Sequence, residues 1–257
     1  MITIAVTNQK GGVGKTTCCI NLAAELGLQG CSALVIDGDP QGNCSSGLGY
    51  EKSSQSKSLY DILIDDEPAE NTVIMTPWKG VSLIPATINL AGAEVELSSA
   101  ISRESRLKNA LDPLKNRFDV AIVDCPPSLG LLTINALVAA DRLLVPIQCE
   151  YYALEGVGQL AQTVNLVRQH LNKTLSIDGV VLTMYDGRTR LANDVVAEVR
   201  EGFRDAVFQT IIPRNVTLSE SPSYGKPVSY YQEACRGALA YRELSEEVSQ
   251  RWLNVDH

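Results

Sequence analysis

The sequence predicts an α/β fold in which a mainly parallel central sheet is covered by helices on both faces. Apolar, β-branched runs recur at 2–6, 33–36, 81–84, 120–123, 143–147, 179–183 and 207–212. They are near-continuous rather than alternating, as strands buried on both faces must be. Segments with apolar residues at helical spacing lie between most of them, at 16–28, 91–97, 101–114, 154–171, 192–203 and 238–252, and such alternation marks parallel crossovers. A glycine-rich turn joins the first strand to the first helix. With 257 residues, no internal repeat and no long linker, the whole chain, 1–257, is expected to form one domain with a substantial core.

The first strand runs into Lys10-Gly11-Gly12-Val13-Gly14-Lys15-Thr16-Thr17. The phosphate-loop template G-x-x-x-x-G-K-[ST] asks for glycine at position 9, where Gln9 stands, so the match is to a variant, K-G-G-x-G-K-[ST], with two lysines. Gly11, Gly12 and Gly14 let the backbone N–H groups of this loop, Val13 and Thr17 included, turn toward phosphate oxygens at a helix N-terminus. Lys15 reaches the β- and γ-phosphates, and the Thr16 hydroxyl is a ligand for Mg²⁺. Lys10 is the residue in surplus.

The second strand leads into Asp37-Gly38-Asp39-Pro40-Gln41-Gly42-Asn43. Asp39 there has two readings: a carboxylate that orients or polarises an attacking water, or an ordinary turn residue among Pro and Gly. The segment 51–57 is Ser- and Lys-rich and reads as a surface loop. The fourth strand ends in Val120-Ala121-Ile122-Val123-Asp124-Cys125-Pro126-Pro127-Ser128. Four apolar residues before an aspartate is the Walker-B pattern, which holds the Mg²⁺ shell; a cap on the following turn is the other reading of Asp124. Thr16, Asp39 and Asp124 thus form the candidate metal side. The Pro-Pro pair breaks the strand and opens a loop facing the phosphates, a candidate switch. After the last strand, Ile212-Pro213-Arg214-Asn215-Val216 lies where a base would sit, with Pro213 beside it and the Asn215 amide reading base edges.

Twenty-two Lys and Arg against thirty Asp and Glu give a net charge of −8, which excludes a generally basic nucleic-acid coat. Any DNA contact must come from a few placed residues. Cys18, Cys19, Cys31, Cys44, Cys125, Cys149 and Cys235 show no C-x-x-C pair and read as reduced, small apolar residues of a cytoplasmic protein. Met1 leads directly into a strand, and no run is long enough to cross a bilayer.

Together these residues resemble the ParA/MinD group of deviant Walker-A P-loop ATPases, closest to the small Soj-like ParA branch. Besides 10–17, the stretches Asp39-Pro40-Gln41-Gly42-Asn43, Asp124-Cys125-Pro126-Pro127-Ser128-Leu129-Gly130, Gln148-Cys149-Glu150-Tyr151-Tyr152-Ala153-Leu154-Glu155-Gly156 and 212–216 carry the resemblance. It implies an ATP-dependent homodimer that sandwiches ATP and Mg²⁺, with Lys10 reaching the partner's phosphates as an arginine finger would. Lys10, Lys15 and Asp39 become the catalytic set, Thr16 and Asp124 the Mg²⁺ side, and Glu150 a contact to the partner's nucleotide. It further implies non-specific DNA binding by the ATP dimer, a ParB-like activator with a basic N-terminal segment, and association with the nucleoid. Arg188, Arg190, Arg200, Arg214, Lys226 and Arg236 are the candidate phosphate contacts; Arg188 matches a DNA-contacting arginine of the family, whereas Thr217 stands where many relatives carry another. The short N-terminus implies no additional DNA-reading domain.

Three other readings compete with this one. A MinD-like membrane ATPase needs a basic amphipathic C-terminus, and 243–257 is instead rich in Glu. An iron–sulfur ATPase needs paired cluster ligands, and Cys125 has no evident partner. A ParA-like ATPase that positions a cargo other than DNA would share the loop chemistry and differ only in its partner.

Overall fold

Residue alternation along the strands explains why this sequence needs helices on two sides. In β1 (Ile2–Val6), Ile4 and Val6 enter one buried cluster and Ala5 the other. The same division holds in β2 (Ala33–Asp37), where Leu34 and Ile36 face away from Ala33 and Val35. Since both faces of these strands are apolar, each must be covered. The computed structural model describes residues 1–51, 57–150 and 155–253.

The further strands are β3 (Ile74–Met75), β4 (Val81–Ile84), β5 (Val120–Asp124), β6 (Arg142–Gln148), β7 (Gly179–Tyr185) and β8 (Val207–Pro213). They form an eight-stranded sheet in the order β3-β4-β2-β5-β1-β6-β7-β8. All pairs are parallel except the two-residue edge strand β3, which runs antiparallel to β4. The chain leaves β1 toward one edge of the sheet and, after β5, continues toward the other. The carboxyl end of β1 therefore lies beside the switch in direction, where such sheets bind ligands.

The helices Lys15–Leu28 and Arg236–Val248 cover one face, through Cys19, Leu22 and Leu26 from the first and Tyr241, Leu244 and Val248 from the second. The opposite face is covered by, among others, the helices Leu131–Ala139, Glu155–His170 and Arg190–Phe203. At the β8 edge, the Glu247 carboxylate accepts the N–H groups of Gln209 (2.8 Å) and Thr210 (2.7 Å). An otherwise open strand is thereby occupied. No described helix is long and apolar enough to cross a membrane.

One expectation needs correction, and two further elements leave no signal in the sequence. The helix expected over 101–114 begins at Arg106 and tightens into a 3₁₀ turn at Asp112–Leu114; Ser102 before it has φ 53, a left-handed conformation that no helix continues through. The helix Leu131–Ala139 was not expected, because it is apolar on nearly all sides and shows no period. The strand β3 is too short to leave a pattern. Residues 52–56, most of the expected surface loop, and 151–154, part of the stretch after Glu150, lie outside the described residues, as does the end of the tail, 254–257.

Candidate active site

Strand register brings the chemistry together. Val6 pairs with Asp124, and Asp37 pairs with Asp124 from the other side. The loop after β1 thus opens directly over two carboxylates at adjacent strand ends. Gly12 and Gly14 take φ 75 and φ 94, conformations that favour glycine. The helix Lys15–Leu28 starts from Gly14 with no side-chain cap, so its first N–H groups remain available to an anion. Two buried side chains pin the loop. Asn8 donates through Nδ2 to the Pro146 carbonyl (2.8 Å) and accepts the Lys10 N–H through Oδ1 (3.0 Å). Thr183 donates to the Val13 carbonyl (2.8 Å).

The two lysines are held differently. Lys15 is only 7% exposed, and its ammonium donates to the Lys10 carbonyl (3.1 Å). Burial lowers its pKa, and the nearby charges of Asp124 and Asp39 oppose that shift. It lines a cavity of about 610 Å³ with Gly11, Gly12, Gly14, Thr16, Thr17 and Asp39. Lys10 is not on that cavity's wall, and its ammonium makes no ion pair among the described residues.

The carboxylates are fully buried except for that of Asp39. The Thr16 hydroxyl donates to Asp124 Oδ2 (2.7 Å), while Asp124 Oδ1 is buried with no hydrogen-bond partner. Desolvation first, and then the charge of Asp37, push the Asp124 carboxyl well above the usual carboxylate range. Desolvation raises Asp37 as well, against hydrogen bonds from Ser45. An orphaned buried acceptor beside a threonine hydroxyl fits a hydrated Mg²⁺. Among the described residues no group of three or more His, Cys, Asp or Glu could hold a metal by itself, so water and phosphate must complete the shell. Asp39 is half-buried; its Oδ1 accepts the Gln41 N–H (3.0 Å) and its carbonyl the Gly42 N–H (2.8 Å). Its side chain therefore shapes a turn and also faces the cavity.

The sequence alone does not single out Asp37 or Asn8. Only the register shows that Asp37 shares a strand end with Asp124. For Asn8, the signal available was a polar residue closing an apolar strand just before the loop.

A second cavity, of about 280 Å³, adjoins the first through Gly14, Thr17, Met184 and Pro222, and is also lined by Pro213 and Asn215. Asn215 Oδ1 accepts the Thr217 N–H (2.8 Å), capping the helix Val216–Glu220. The cap engages one lone pair of the amide oxygen and leaves the NH₂ group unused by it. Arg214 lines the same cavity and pairs with Glu150 (2.9 Å), which joins a candidate DNA contact to a candidate nucleotide contact. Arg188 pairs with Asp186 (2.6 Å) and Arg190 with Asp194 (3.7 Å), both arginines being highly exposed. Lys226 and Arg236 are exposed. Arg200 is not brought together with these residues: it lies in the last turn of its helix and donates to the Gln209 carbonyl near the amino end of β8 (3.4 Å).

The loops bordering the two cavities touch. Gly49 (φ 82) and Gly225 (φ 63) approach so closely that a Cβ on Gly225 would lie 2.7 Å from Gly49 Cα. Pro222, three residues earlier, lines both cavities.

A phosphate loop on a central strand, a buried lysine, a threonine bonded to a strand-end aspartate and an adjoining base-sized cavity define a P-loop ATPase. A family described as an AAA domain matches residues 1–177. The sporulation initiation inhibitor protein Soj of Bacillus subtilis is 56% identical over 246 residues, covering 96% of this chain and 97% of that one. Chromosome partitioning protein ParA of Myxococcus xanthus is 50% identical over 248 residues, covering 96% and 88%. A solved structure named cobyrinic acid a,c-diamide synthase from Mycobacterium smegmatis, with bound ATP analogue and magnesium, superposes with a TM-score of 0.87 at 38% identity, covering 99% of this chain and 96% of that one. The chain belongs to the Soj/ParA family of chromosome-partitioning ATPases.

Proposed function

We propose that the whole chain acts as one Mg²⁺-dependent ATPase domain whose ATP-bound homodimer binds DNA without sequence preference and leaves it on hydrolysis. The observation that carries this reading is the placement of Lys10. Lys15 serves the cavity of its own chain, whereas Lys10 stands outside that cavity with an ammonium that makes no ion pair among the described residues, so a second chain is the natural recipient of its charge. A cation delivered across an interface to developing phosphate charge ties turnover to dimerisation.

Thr16 and Asp124 would hold Mg²⁺, which when bound offsets the charge of the β- and γ-phosphates. Lys15 and the uncapped N–H groups of the loop orient the same phosphates. Asp39, at the open side of the cavity, holds the attacking water in line. Asn215 and Pro213 border the base. Arg188, Arg190, Lys226 and Arg236 supply phosphate contacts to DNA, with a ParB-like basic segment as the activator, and the protein works in the cytoplasm at the nucleoid.

The test is gel filtration and DNA retention with ATP, ADP and no nucleotide, using Asp39→Ala to block hydrolysis. ATP is expected to give a dimer with salt-sensitive DNA retention, and ADP a monomer. Absence of both the dimer and retention would overturn the reading. Lys10→Ala is expected to bind nucleotide but to lose dimer formation and turnover; unchanged turnover would remove its cross-subunit role.

A further inference from the structure

We infer that Ser45 is a positioning residue for hydrolysis, acting through Asp37 to fix the loop that carries Asp39. Ser45 is fully buried. Its N–H and hydroxyl both donate to Asp37 Oδ2, at 2.7 and 2.6 Å. Its hydroxyl oxygen also accepts the N–H of Ala86 (3.1 Å), just beyond the carboxyl end of β4. The other Asp37 oxygen accepts the Asp39 N–H (3.3 Å). One carboxylate therefore ties both ends of the segment 39–45, and Ser45 ties that carboxylate to the neighbouring strand.

With both oxygens so engaged, Asp37 is arranged to hold backbone. Asp39 is the first residue of the tethered segment, and the Gln41 and Gly42 N–H groups brace it from within. Removing the Ser45 hydroxyl leaves the Ala86 N–H without its acceptor and Asp37 Oδ2 with one donor in place of two. Both bonds lie next to the buried Asp37–Asp124 strand pair, so the segment would lose its fixed distance from the phosphate side. Ser45 itself does not line the cavity, although Asn43, Ser46 and Gly47 beside it do; ADP, held by the loop after β1, is expected to keep its affinity when only the hydroxyl is removed.

This inference rests on the reading that Asp39 orients the attacking water. The test compares Ser45→Ala, Ser45→Thr and Ser45→Val with Asp39→Ala in full-length protein, with ATP turnover normalised to nucleotide-binding sites counted by titration. Thr and Val are isosteric, so their difference isolates the hydroxyl from any crowding. Ser45→Ala and Ser45→Val are expected to lower kcat by about 10–100-fold, as a misplaced reacting group does, with ADP affinity unchanged within about threefold and Ser45→Thr clearly faster than Ser45→Val. Wild-type turnover in Ser45→Ala, equal rates for Thr and Val, or a loss of ADP affinity matching the loss of rate would each overturn it. If Asp39→Ala is inactive while Ser45→Ala is normal, only this inference falls. If Asp39→Ala turns over normally, the water-orienting reading falls and carries this one with it.

Discussion

The inner ends of β1, β2 and β5 and the outer rim beyond β7 and β8 both carry charged residues, but they hold them in opposite ways. At the inner end Asp37 and Asp124 are fully buried and Lys15 nearly so; Asp124 is bonded by Thr16, 108 residues away, and Lys15 and Asp37 bond to Lys10 and Ser45, five and eight residues away. At the rim Arg188 and Arg190 are exposed and pair with acids two and four residues away. Exposed pairs of that kind are weak, being screened by water and salt, and are easily exchanged. The inner end is built to keep one geometry for phosphoryl transfer. On the proposed function, the rim would trade a neighbouring carboxylate for DNA phosphate in a reversible contact.

The largest effect should come from breaking the inner end. Asp124→Asn removes charge at the atom left without a partner and is expected to weaken Mg²⁺ half-saturation of turnover by about 10–100-fold. An unchanged Mg²⁺ requirement would separate Asp124 from the metal. At the rim, Arg188→Ala should lower DNA retention and reduce the slope of log affinity against log salt by about 1. An identical slope would show that Arg188 keeps Asp186 when DNA is bound, and the contrast between the regions would then be lost.

Smaller effects sharpen the comparison away from both sites. Cys235 caps the helix Arg236–Val248 through a long bond from the Ala238 N–H to its sulfur (3.4 Å). Cys235→Ser, a preferred capping residue, should stabilise the fold by about 0.5–1 kcal/mol in denaturant melts; no gain would mean that sulfur already serves as well as oxygen. Glu25, buried behind the same helix, accepts from Ser229 and faces Arg242. Desolvation raises its pKa despite these partners. The native state then holds this proton more tightly than the unfolded chain, so stability falls as pH rises from about 4.3 toward the folded value. Glu25→Gln should flatten that part of the stability–pH curve, and an unaltered curve would place its origin elsewhere.

What was legible followed the same division. The loop 10–17 could be read because its glycines, lysine and threonine are contiguous and each answers to a local need. The paired carboxylates were half legible: Asp124 announced itself after four apolar residues, while the burial of Asp37 depends on a register that no local pattern displays. Rim residues were least legible. Arg200 and Arg188 look alike in sequence, and only the antiparallel course of the helix Arg190–Phe203 back along the sheet separates them. In the fold, buried strands declared themselves by composition. The helix Leu131–Ala139 did not, since burial on nearly all sides erases the period by which helices are found, and the expected helix start at 101 failed because apolar spacing carries no information about the left-handed turn at Ser102.

The contact between Gly49 and Gly225 makes two remote loops a single unit of design. A side chain on either glycine meets backbone of the other, so neither position can be varied alone without parting the loop of Gly49 from the one whose Pro222 lines both cavities. Loop length is constrained in the same manner. A residue inserted on one side would need a matching adjustment some 175 positions away, so the two segments should tolerate change only as a pair.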